Sequence, residues 1–75
     1  MVAKPNRDDV RRKADQLRAL VPFETVVALK EGATTYELEV DGKQIFAGLP
    51  VGWTYATLAT LVRWESAREE LCRES

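Results

Sequence analysis

The sequence predicts an α+β domain in the order α-β-β-β-α, with two helices packed on one face of a three-stranded antiparallel sheet. Three observations carry this. An apolar stripe with helical spacing follows a capping residue near the start. An alternating segment runs into an Asp-Gly turn in the middle. A second long apolar-periodic segment occupies the last third. With 75 residues the chain is one small domain, 1–75, with fraying expected over 1–5 and over the last few residues.

Asn6 is a good N-cap, and Asp9 stands where a reciprocal capping carboxylate would. Val10, Ala14, Leu17 and Val21 then recur on one helical face. Asp8 and Asp9 fall in the first turn and Arg18 in the last, as the helix dipole favours. Pro22 ends the segment, because the residue before proline disfavours helix. The first helix is therefore expected over 6–20.

Phe23 to Lys30 is rich in β-branched residues and reads as a strand, with Phe23, Val27 and Leu29 on one face. After a turn at Glu31-Gly32-Ala33, residues 34–40 alternate: Tyr36, Leu38 and Val40 one way, Thr35, Glu37 and Glu39 the other. Asp41-Gly42 is the strongest two-residue hairpin signal. A two-residue turn pairs Val40 with Lys43, Leu38 with Ile45 and Tyr36 with Ala47. The expected covered face holds Val27, Leu29, Tyr36, Leu38, Val40 and Ile45. The expected open face holds Val26, Ala28, Glu37, Glu39, Gln44 and Phe46. A loop over 48–52 leads to the second helix, about 53–73, with a broad, drifting apolar face of Trp53, Leu58, Leu61, Val62, Trp64, Ala67 and Leu71.

Composition excludes several function classes. At 45% hydrophobic and 31% charged the chain is expected to fold. No run of 18 apolar residues is present, so no membrane span is expected. No basic–apolar–small leader opens the chain, so a cytoplasmic location is expected. A single cysteine, Cys72, precludes an internal disulfide. The absence of histidine removes the commonest acid–base group and metal ligand. Gly48 and Gly52 lack the Lys-Ser/Thr of a phosphate loop, so no cofactor is expected. Net charge is −1, spread as +3 over residues 1–20, −3 over 21–50 and −1 over 51–75. That leaves no global basic field for nucleic acid, only a basic front and an acidic middle.

Pro22-Phe23 after the first helix, the strand Tyr36 to Val40, the Asp41-Gly42-Lys43 hairpin and Gly48 before the second helix together resemble the double-stranded-RNA-binding domain. The likeness covers most of the chain and implies the topology already read from the residues. Those domains contact RNA through a lysine cluster at the start of the last helix. That place here reads Gly52-Trp53-Thr54-Tyr55-Ala56-Thr57, without a basic residue. The departure falls on the binding motif and argues against carrying over the activity. A second likeness, of size and architecture only, is to small phage proteins such as head–tail joiners and inhibitors of host systems.

Catalytic chemistry finds little support. Glu37 and Glu39 share a strand face but have no nucleophile nearby, and a solvated face that discourages edge pairing accounts for them. Cys72 has no base and reads as a small half-buried residue. Scattered carboxylates and one thiol do not make a metal site. The expected function is a non-catalytic protein-binding module, an adaptor or inhibitor docking on a protein partner or a second copy. Its candidate contact residues are Val26, Ala28 and Phe46 on the open face, rimmed by glutamates, with Leu49, Trp53 and Tyr55 at the loop-to-helix junction. Trp64 is expected in the core. The alternative is a nucleic-acid-binding domain using Arg7, Arg11 and Arg18, which share a narrow arc beside the apolar stripe, with Asp15 close by.

Overall fold

Asn6 opens the first helix as the spacing predicts. Its side chain accepts from the Asp9 backbone N–H at 2.9 Å, and the Asp9 carboxylate accepts from the Asn6 N–H at 3.0 Å, closing a full capping box. In the computed structural model, which describes residues 4–74 and side chains as far as Leu71, this helix (α1) spans Arg7–Leu20. The order continues β1 Val27–Glu31, β2 Tyr36–Val40, β3 Lys43–Leu49 and α2 Val51–Glu74. The Cys72 side chain, and most of the fraying expected at the two ends, lie outside the described residues.

The sheet is a meander of order β1-β2-β3, antiparallel throughout. β1 is shorter than its apolar run. Residues 22–25 form a turn in which the Thr25 N–H donates to the Pro22 carbonyl, and Phe23 stands fully in solvent instead of on the sheet. The Asp41-Gly42 turn carries positive φ at both residues (53° and 81°), the geometry that suits the right-handed twist of a hairpin. Asp41 also ties down the entry to β1: its carboxylate accepts from the Val26 N–H at 2.9 Å, and its own N–H donates to the Val26 carbonyl at 2.8 Å.

The β2–β3 register departs from the expected one. Val40 faces Lys43 and Glu39 faces Gln44, but Leu38 then faces Phe46 and Tyr36 faces Leu49. The pairing slips by one residue twice, first at Ile45 and again opposite Glu37, where Gly48 takes φ +72°. A slip moves side chains between faces. Phe46, expected on the open face, instead lies beside Leu38 and packs against the core. Ile45, expected in the core, is 52% exposed.

Both helices cover one face of the sheet. The core is Val10, Ala14 and Leu17 from α1, Val27, Tyr36 and Leu38 from the sheet, and Leu58 and Val62 from α2, with Thr54 buried beside them. The Thr54 hydroxyl is satisfied at the start of α2, within reach of the Leu49 and Pro50 carbonyls at 3.1 and 2.9 Å. The Tyr36 hydroxyl is buried without a hydrogen-bond partner among the described residues. The domain is thin, 43 × 35 × 15 Å. At 24 residues α2 is about 36 Å long against about 21 Å for α1. It outruns the core: no side chain from Arg63 to Leu71 is fully buried.

Candidate protein-docking face

The open face of the sheet is polar. Lys30 meets Glu39 at 3.3 Å, and the Gln44 amide donates to Glu37 at 3.0 Å. With Phe46 turned inward, the apolar strip expected there reduces to Val26, which is exposed, and the half-buried Ala28. Of the junction residues, Leu49 is half-buried, Tyr55 is half-buried against the core, and the Lys13 ammonium sits 5.6 Å from the Tyr55 ring centre. Trp53 is 68% exposed. The structure thus separates the predicted contact residues instead of gathering them on one surface.

The three arginines are occupied along the edge of β1. Arg7 donates to the Gly32 and Ala33 carbonyls at 3.0 and 2.6 Å and lies 5.6 Å from the Tyr36 ring centre. Arg11 grips Glu31 with two bonds of 2.8 and 3.0 Å. Arg18 donates to the Val27 carbonyl at 3.0 Å and pairs with Asp15 at 2.7 Å. Positions 7, 11 and 18 thus meet positions 32–33, 31 and 27 in descending order, so α1 runs antiparallel to β1 and covers its free edge. The hydrogen bonds from Arg11 hold the Glu31 carboxyl below its ordinary value and, with the attraction of that carboxylate, raise the guanidinium.

Apolar surface lies elsewhere, on α2. At 100° per residue, Leu58 and Val62 point to the core. Trp53, Thr57, Thr60, Trp64, Ala67 and Leu71 fall within an arc of roughly 80° on the other side. Trp53, Trp64 and Leu71 are 68%, 66% and 68% exposed. Trp64, expected in the core, is therefore outside it. The hydroxyls between these large side chains are turned inward: Thr57 donates to the Trp53 carbonyl at 2.9 Å and Thr60 to the Ala56 carbonyl at 3.0 Å. The arc thus offers methyl groups and rings, with its threonine hydroxyls already bonded.

Trp64 also forms one lip of a groove of about 370 Å³ between α2 and the sheet end, where Leu17, Val21, Ile45 and Leu61 supply apolar walls. Sequence reasoning missed this surface because it merged two faces of α2 into one drifting stripe. The signal was present, since Trp53, Trp64 and Leu71 are in phase with each other and out of phase with Leu58 and Val62.

Among the described residues, no cluster of three or more His, Cys, Asp or Glu side chains could hold a metal ion. No helix among them is long and apolar enough to cross a membrane. No family profile, curated protein or solved structure matches the chain.

Proposed function

We propose that the protein is a non-catalytic protein-binding module, an adaptor or inhibitor, that docks through the outer face of α2 and the groove beneath Trp64. One observation carries the reading. α2 is apolar on two opposite faces, and the domain covers only one of them. An apolar stripe on a helix ordinarily faces something it packs against, and surfaces rich in exposed tryptophan are where binding energy concentrates.

The double-stranded-RNA-binding likeness enters this reading as topology alone. The place of its lysine cluster is taken by Trp53, Thr54 and Tyr55, and the arginines that would replace the cluster brace α1 against β1.

Site-specific photo-crosslinking tests the proposal. A benzophenone side chain would replace Trp53, Trp64 or, as the control, Gln44 on the open face, in chains expressed in the cell of origin. The reading expects protein adducts from positions 53 and 64 and none from 44. Adducts from 44 alone, or from none of the three, contradict it.

A further inference from the structure

The outer face of α2 is symmetric in its spacing. Its residues pair about position 62: Trp53 with Leu71, Thr57 with Ala67, and Thr60 with Trp64. Each pair is equidistant from the same point, and that point lies next to the midpoint of α2, which spans Val51–Glu74. Two copies of α2 laid antiparallel about a two-fold axis there would set Trp64 of each over Thr60 of the other. The indole of Trp53 would meet Leu71, and the small pair Thr57 and Ala67 would let the backbones approach. A two-fold interface requires this self-complementarity, in which residue i meets j and j meets i. An unrelated partner would not require it.

Three further observations agree. No charged residue falls in the arc, so superposing the face on itself opposes no like charges within it. The threonine hydroxyls are bonded within their own helix, so covering them strands no donor. A domain with eight buried hydrophobic residues among those described is also of the size that commonly gains stability by association.

We infer that the partner of this face is a second copy of the chain, bound antiparallel through α2 about a two-fold axis level with position 62, on the side of the helix away from the Val62 side chain. The inference rests on the protein-binding reading and names its partner.

Sedimentation equilibrium on the full chain is the first test. The expected result is a mass that climbs with concentration toward twice 8.5 kDa. Trp64→Glu, a change at an exposed position, should weaken association at least about 30-fold, as at a binding hot spot. The register is tested in a Cys72→Ser background by mixing Thr57→Cys chains with Ala67→Cys chains. Disulfides should form between the two kinds of chain in preference to either kind alone.

A chain that stays at 8.5 kDa throughout overturns the inference. It leaves the protein-binding reading to the crosslinks at 53 and 64, which would then have to join a different protein. A dimer that Trp64→Glu leaves intact also overturns it, since the contact would lie on another face. A preference for 57-to-57 and 67-to-67 disulfides overturns the antiparallel arrangement.

Discussion

Trp53 and Trp64 stand three turns apart on one exposed side of α2, with Thr57 and Thr60 between them. Both indoles point away from the core that Leu58 and Val62 help to build. Two tryptophans held in water by a well-formed helix make that helix the centre of the functional account.

The β3 register makes opposite claims for two neighbours. Phe46 packs beside Leu38 and Ile45 lines the open groove. Phe46→Ala should therefore cost about 2 kcal/mol, a partial version of a core deletion, and Ile45→Ala less than about 1 kcal/mol. Urea unfolding of both variants checks this. The reverse ranking would restore the unslipped hairpin.

The capping box predicts a local loss. Asn6→Ala removes the acceptor for the Asp9 N–H and should cost about 1 kcal/mol. Thermal unfolding followed by circular dichroism gives the value.

The buried Tyr36 hydroxyl has no partner among the described residues. Tyr36→Phe removes an unsatisfied polar group and keeps the ring, so stability should be unchanged or rise by up to about 1 kcal/mol. A loss larger than that would show that the hydroxyl is bonded in solution.

The Arg11–Glu31 contact has a pH signature. The folded state holds the Glu31 carboxyl below its ordinary value of 4.5 through the Arg11 hydrogen bonds. The contact therefore stabilises the fold above that value, and its contribution fades as pH falls through the depressed folded value. Glu31→Gln should make the acid-side loss of Tm shallower while lowering Tm slightly at pH 7. The same arginines bind within the chain, so titration with double-stranded RNA at low salt should give no saturable binding. Arg11→Glu should act on stability instead.

Local chemistry was legible from residues alone. The Asn6–Asp9 box, the Pro22 stop and the Asp41-Gly42 turn each depend on a few adjacent residues, and each stands where expected. The β3 slips were not legible, because Lys43 to Ala47 fits an unslipped strand equally well. The choice is made by the packing of Phe46 against the core and the room that Gly48 allows. The role of the arginines was also hidden, because their partners at 27 and 31–33 lie across the fold from α1. On α2 the two apolar phases could be counted, but which of them meets the core is decided by α1 and the sheet.

Intrinsic fluorescence tests the central claim most directly, because Trp53 and Trp64 are the only tryptophans in the chain and both lie on the face in question. Emission and acrylamide quenching would be followed as protein concentration rises. The account predicts water-exposed, quenchable indoles at high dilution that shift to the blue and become protected as chains associate. Protected, blue-shifted indoles in a chain that sediments at 8.5 kDa would place both rings inside the fold and contradict it.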